Sequence, residues 1–369
     1  MLAPIFFSFV ISFAGTMFFR KIALFAGAVD MPGGRHIHKS PVPKLGGAAL
    51  ALGVYPAVLI FLPLSRTMVS IIMSSLLMLG LGIYDDMKQA GWKLKTAVSL
   101  LAIFTAVFYG GLRVKGLGDL FGTGPIPLGP LELPFTCLAI FGAVNAINLM
   151  DGLDGLLAGI LVLSLTGLAV LGSVSGDAEA LFLSLVLMGA VLGFLPANFP
   201  RARMFLGDSG SLFAGFLIAA LSIHLANGAS TIKPVTPALV LFLPLYDTLR
   251  VMTVRLLKGW HPFGADRRHL HHLIVRSDTP ARSAVLLLWA VSALAALAAV
   301  LFRDMPSWGL LICWTLFAVL MSAFVASLES VKKSRGFYRT ARGHVYLPAL
   351  ARETGAFPRP RQISVIQDQ

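Results

Sequence analysis

The chain has 369 residues, 57% of them hydrophobic and only 13% charged, with a formal net charge of +13 at pH 7 and two cysteines. Mean hydropathy is +0.82. A soluble domain carries about 25% charged residues, so an ordinary soluble fold is excluded, and the surplus of positive charge reads as membrane topology rather than as a nucleic-acid partner. Cys137 and Cys313 are too few for a disulfide framework or a CxxC metal site; they read as small buried hydrophobes.

A bilayer crossing needs ~20 mostly apolar residues. Eleven stretches qualify: 2–19, 46–64, 68–84, 96–112, 134–150, 156–174, 179–195, 209–226, 236–257, 283–302 and 308–328. They are continuous apolar runs rather than short alternating ones, which selects helices over a barrel. The expected fold is an all-α polytopic membrane protein. The first stretch has no basic residue ahead of it and is followed by Arg20 and Lys21, so it reads as a retained helix and not as a cleaved signal ending near Ala26–Ala28. With eleven helices, one set of loops holds 25 of the 30 Lys and Arg residues. That set is expected in the cytoplasm, with the N-terminus outside and the C-terminus inside.

In chain order, the first inner loop, DMPGGRHIHKSPVPKLGG (30–47), brings Arg35, His36, His38, Lys39 and Lys44. These are either plain positive-inside charge or phosphate contacts. Next come Asp85 and Asp86 in GLGIYDDMKQAGWKLK; adjacent carboxylates repel unless a cation or proton intervenes, although a solvated pair capping the next helix is the bland alternative. Lys93 and Lys95 follow, as interface anchors or as holders of an anionic headgroup. Residues 113–133, rich in Gly and Pro, read as an outer loop, a short hairpin at most.

NAINLMDGLDGL (145–156) sets Asn145, Asn148, Asp151 and Asp154 three residues apart in an apolar run. On an unbroken helix the last three would share an arc of roughly 120°, while Gly152 and Gly155 suggest a break there. Interhelical hydrogen bonding explains one such residue, not four; oxygen-bearing side chains at this density suit a hard cation or a hydrogen-bonded base. FLGDSGS (205–211) puts Asp208 in a small-residue turn before an apolar helix, where free N–H groups form an anion site and the carboxylate is a cap or a metal ligand. DRRHLHH (266–272) lacks the HExxH zinc signature, and its Arg and His suit phosphate oxygens. Residues 329–369 form a basic tail, expected to be partly disordered. Residues 1–328 are then the catalytic membrane domain.

All these clusters fall on the cytoplasmic side by loop parity, as expected if several loops build one site on a helical bundle. An acidic centre inside a ring of Arg, Lys and His fits Mg²⁺, which takes one or two carboxylates plus substrate phosphates; Mn²⁺ is the alternative ion. The substrate is then a nucleoside-diphosphate compound, and the partner substrate a lipid.

Together YDD, NAINLMDGLDGL, FLGDSGS and DRRHLHH, in this order, resemble the motifs of the polyprenyl-phosphate N-acetylhexosamine-1-phosphate transferases of glycosyltransferase family 4. The first loop ending PVPKLGG and the last motif PFGADRRHLHH look more like the undecaprenyl-phosphate N-acetylglucosamine-1-phosphate branch than the phospho-N-acetylmuramoyl-pentapeptide branch. The resemblance implies transfer of N-acetylhexosamine-1-phosphate from a UDP-sugar to a polyprenyl phosphate, with release of UMP, at the bacterial inner membrane; the product would start a lipid-linked glycan such as O-antigen or teichoic acid. It implies Asp208 as chief Mg²⁺ ligand with Asn148 second. Asp85 would be the base, with Asp86 supporting it and Asp151 near the metal. Asp154 would face uracil. Lys93 or Lys95 would hold the acceptor phosphate, and Arg267, His269, His271 and His272 the diphosphate or sugar; Lys39, Lys44 and Asn198 complete the substrate-binding set. A dimer is compatible with it. The rival classes are an ion-coupled transporter, which wants polar groups at the midplane, and a non-catalytic scaffold binding lipid phosphates, which the paired aspartates would repel.

Overall fold

The computed structural model describes residues 2–31, 41–62, 64–227, 232–261, 268–277 and 279–340, the last ten as backbone alone. Among the described residues thirteen α-helices follow one another: α1 Leu2–Phe25, α2 Gly46–Phe61, α3 Arg66–Lys88, α4 Trp92–Phe104, α5 Glu132–Leu149, α6 Leu156–Val174, α7 Ala178–Asn198, α8 Gly207–Asn227, α9 Val235–Val240, α10 Phe242–Leu257, α11 Leu270–Arg276, α12 Ala281–Leu301 and α13 Ser307–Thr340. The chain divides into two compact units, Met1–Ser322 and Ala323–Gln369; the described part of the second is the continuation of α13 to Thr340.

Among the described residues nine helices are long and apolar enough to cross a bilayer. Each of the eleven stretches marked by hydropathy is mainly helical where it is described, but two differ from expectation. α2 has 16 residues and falls short of a full crossing length. The stretch 236–257, expected as one span, breaks at Leu241 into α9 and α10. Pro244 supplies the physical reason: it has no N–H for the carbonyl of Val240 four residues back, and the Ser164 hydroxyl donates to that carbonyl instead, at 3.4 Å. Two further boundaries moved. α3 runs to Lys88, so Asp85 and Asp86 lie in a helical turn and not in a loop. The helix carrying Asn148 stops at Leu149, which leaves Asp151 and Asp154 in the connection to α6.

α8 is the axis of the bundle, with 89% of its apolar window buried, against 28% for α1 and 22% for the span in α13. Helices in lipid pack through small and hydroxyl residues. Thus Ser8 and Ser12 of α1 donate to the carbonyls of Val186 and Ala190 in α7, both at 2.8 Å. At one end of the bundle a two-stranded ribbon, β1 (Val29–Asp30) with β2 (Val42–Pro43), leads into α2. The segment before α8 joins it: Phe205 N–H donates to the Pro43 carbonyl at 2.8 Å, and Gly46 N–H to the Phe205 carbonyl at 3.2 Å. The start of α8 is thereby fixed beside the start of α2.

Residues 113–133 form a short hairpin-like loop, with an isolated bridge between Gly116 and Pro127. Cys137 and Cys313 are free thiols.

Candidate active site

The site gathers at the N-terminal end of α8. Gly82 lets α3 approach it closely: a Cβ there would overlap the backbone of Asp208 and Ser209. One turn further, Asp86 accepts the N–H groups of Asp208 (2.9 Å) and Ser209 (3.0 Å). These are orphan donors of a helix start. The anion expected at this helix N-terminus is therefore the protein's own Asp86 carboxylate.

Asp85, 6% exposed, accepts the N–H of Ala90 at 2.5 Å and forms an ion pair with Lys95 from α4. The same Lys95 ammonium lies 3.3 Å from Asp208. On the other side of Asp208, Asn148 at the end of α5 donates to its carboxylate and to the Ser211 hydroxyl, both at 2.8 Å. Asp85 from α3 and Asp208 from α8 thus share one lysine, and Asn148 from α5 joins them through Asp208. Lys93, two residues from Lys95, is exposed on a different helix face, its ammonium over its own neighbour Trp92 at 5.8 Å; the structure does not bring it to the cluster. Asn145 also points away, donating to the Phe141 carbonyl at 2.7 Å.

The connection 150–155 is the floor beside this cluster. Asp151 is half-buried there; burial, then the charges of Asp208, Asp86 and Asp154, push its carboxyl up to about 7, with Lys44 acting in the opposite sense. Lys44 itself pairs with Asp30 at 3.2 Å. Asp154 accepts the N–H of Ala202 at 2.9 Å. Asn198, 3% exposed, accepts from Gly155 N–H (3.0 Å) and donates to the Met204 carbonyl (2.9 Å). Both ends of its amide brace the loops, which corrects the expectation that it faces substrate.

The histidine motif reaches the same floor. A Cβ at Gly152 would overlap the His271 ring, so glycine is required for that contact. His271 is 2% exposed. Its burial, together with neighbouring His272 and His269, pushes its imidazole down to about 3, against the pull of Asp247. A ring held neutral keeps one N–H donor and one acceptor, and the structure places it buried against the floor loop. The His272 ring lies tilted against that of His271, with centres 4.2 Å apart. His269 is held from behind: its Nδ1 lies 2.9 Å from Oδ2 of Asp247 on α10, and Asp247 is 0% exposed. Arg250 pairs with the same aspartate at 3.0 Å. Sequence reasoning missed Asp247 and Arg250; the available signal was a lone acid and base, three residues apart, in the apolar run LPLYDTLRVM. Lys39 and Arg267 lie outside the described residues.

Chemically, two carboxylates, Asp85 and Asp208, share one ammonium, and with Asp86 and Asp151 close to Asp208 the site holds a surplus of negative charge. Among the described residues no three His, Cys, Asp or Glu side chains form a ready metal cage. The donor set nonetheless fits Mg²⁺, which is held by one or two carboxylates and completes its shell with water and substrate phosphates. Asp208, already shared between an ammonium and an amide, is the natural carboxylate for it.

Comparison with known proteins agrees in scope. Residues 68–226, which contain Asp85, Asp86, Asn148, Asp151, Asp154 and Asp208, match the model of glycosyl transferase family 4. A Bacillus subtilis (strain 168) protein, named a probable undecaprenyl-phosphate N-acetylglucosaminyl 1-phosphate transferase, is 34% identical over 78% of this chain and 81% of its own. The undecaprenyl-phosphate alpha-N-acetylglucosaminyl 1-phosphate transferase of Yersinia pestis is 30% identical over 90% of this chain and 91% of its own. That of Escherichia coli (strain K12) is 29% identical over 81% and 84%. Similarity of this extent, in a chain whose described residues include nine helices of spanning length, makes it a multi-pass membrane transferase, and it belongs to glycosyl transferase family 4.

Proposed function

We propose that the protein transfers N-acetylglucosamine-1-phosphate from UDP-N-acetylglucosamine to undecaprenyl phosphate, releasing UMP. One observation carries the reading: α3, α4, α5 and α8 bring Asp85, Lys95, Asn148 and Asp208 into a single cluster, in a chain whose relatives are named for this reaction over 78% to 90% of its length. The Lys and Arg bias of the loops puts that end of the bundle in the cytoplasm, which is where a nucleotide-sugar would be met, and the membrane is then the bacterial inner membrane.

Asp208 would hold Mg²⁺, or Mn²⁺, with the amide oxygen of Asn148 as the second protein ligand. The ion's contribution is to offset the charge that develops on the leaving phosphate. Lys95, placed between Asp85 and Asp208, supplies the positive charge that binds the acceptor phosphate. Asp85 removes a proton from that phosphate, whose oxygen attacks the β-phosphorus. Asp86 keeps the N-terminal end of α8, and so Asp208, in place. Asp154 and Asp151 flank the nucleotide, and Lys39, Arg267, His269 and His272 complete the diphosphate and sugar side.

The test is UMP release by detergent-purified protein. Turnover is expected with UDP-N-acetylglucosamine only when undecaprenyl phosphate and Mg²⁺ are both present. Equal turnover with EDTA, or none with any UDP-N-acetylhexosamine, overturns the proposal.

A further inference from the structure

Asp247 has no place in the cluster just described, yet it is fully buried and every one of its contacts is ordered. Oδ1 accepts the N–H of Leu270 at 3.0 Å and the Arg250 guanidinium at 3.0 Å. Oδ2 accepts from His269 Nδ1 at 2.9 Å. Arg250 also donates to the carbonyl of Arg268. One helix, α10, thus grips both sides of His269 and the first N–H of α11.

An ionised carboxylate has acceptors only, so the His269 nitrogen that meets it must be the one carrying hydrogen. Arg250 already supplies the positive charge that balances Asp247, and His269 needs to contribute only an N–H. In the neutral ring that this charge balance leaves room for, the remaining nitrogen, Nε2, is a bare acceptor. A bare acceptor cannot hydrogen-bond an anionic phosphate oxygen; it takes a hydroxyl or an amide N–H.

We infer that Asp247 is a positioning residue for the transfer reaction: through Nδ1 it fixes the His269 tautomer, so that Nε2 accepts a hydrogen bond from a hydroxyl or the acetamido N–H of the donor sugar. The inference rests on the transfer reading for its substrate, but the tautomer itself does not. His269, 7% exposed, stacks on His271 with ring centres 6.0 Å apart, and His271 packs on Gly152 between Asp151 and Asp154. The ring that Asp247 sets therefore adjoins the floor of the site.

Asp247→Asn separates this role from simple support. Its amide oxygen can keep the Oδ1 position, with Leu270 and Arg250, which turns the NH₂ group toward His269. Nδ1 then becomes the acceptor and Nε2 the donor. Carboxylates behind metal-bound histidines matter by about 10- to 100-fold, and by the same orienting role kcat/KM for UDP-N-acetylglucosamine should fall by about that factor. In a His269→Ala background the same change should cost less than about threefold, because residues acting through one another are non-additive. Asp247→Glu, which keeps an acceptor-only carboxylate, should recover part of the loss.

The direct reading is the ¹⁵N spectrum of histidine-labelled protein, with His269 assigned by its absence in His269→Ala. Protonation at Nδ1 in the unmutated protein and at Nε2 in Asp247→Asn supports the inference. Protonation at Nε2 alone or at both nitrogens in the unmutated protein, or a full additive loss in the double variant, overturns it. If the unmutated protein releases no UMP, the transfer reading fails, and the nitrogen spectrum still decides whether Asp247 sets the ring.

Discussion

The two ends of α8 hold charged clusters built on opposite principles. Asp208 and His224 lie 16 residues apart in the sequence, or ~24 Å along a helix. At the His224 end each acid has a defined partner. Asp177 caps α7 through the Ala180 N–H at 2.9 Å and meets His224 Nε2 at 3.1 Å. Glu179 accepts from Ser65 at 3.0 Å. At the Asp208 end, Asp85 and Asp208 share one ammonium, Asp86 is committed to backbone N–H groups, and Asp151 stands nearby among like charges. The same residue type is pushed in opposite directions. Burial works to raise both, but His224 and the Ala180 N–H bring Asp177 below the usual carboxylate range, whereas neighbouring carboxylates add to burial and lift Asp151 to about 7. Satisfied charges tie helices together; surplus like charges at a helix end mark a place that a cation completes.

Substitutions at each end sharpen the contrast. Asp208→Asn removes the shared carboxylate and is expected to lower UMP release by about 10³-fold, as losing several kcal/mol of charge stabilisation would, with the melting temperature in detergent close to the parent's. Turnover within tenfold of the parent would break the assignment. Asp86→Ala leaves two helix-start N–H groups without their acceptor and should cost about 1–2 kcal/mol of stability as well as turnover. Asp177→Ala removes a cap of the same kind at the other end, so a stability loss of about 1 kcal/mol with unchanged turnover is expected. If Asp177→Ala abolished turnover, the division between the ends would fail.

The smallest effect is in pH. A carboxyl lowered on folding stabilises the protein above its unfolded value, ~3.9, and that contribution is lost as pH falls through the folded value. Between pH 5 and 3 the melting temperature of the parent should therefore drop more than that of Asp177→Asn. Equal slopes would show that the His224 contact contributes nothing.

Much of this was legible in the sequence because hydropathy and loop charge are additive over long windows. The helix Leu156–Val174 has the limits its composition marks, and Asp85, Asp86, Asn148 and Asp208 were singled out by polarity inside apolar runs. What was not legible depends on rotation and on distant partners. Lys93 and Lys95 differ by two positions and hence about 200° around a helix; only packing shows that Lys95 turns inward. Asn198 and Asp86 look like free polar groups until their backbone partners are seen. Asp247 was hidden because its partner, His269, is 22 residues away and beyond a helix end.

The most direct measurement is Mn²⁺ binding by electron paramagnetic resonance, on purified protein with UDP-N-acetylglucosamine present. One Mn²⁺ per chain is expected in the parent and in Asp177→Asn, and none in Asp208→Asn. Undiminished Mn²⁺ binding by Asp208→Asn would contradict the placing of the cation at the N-terminal end of α8.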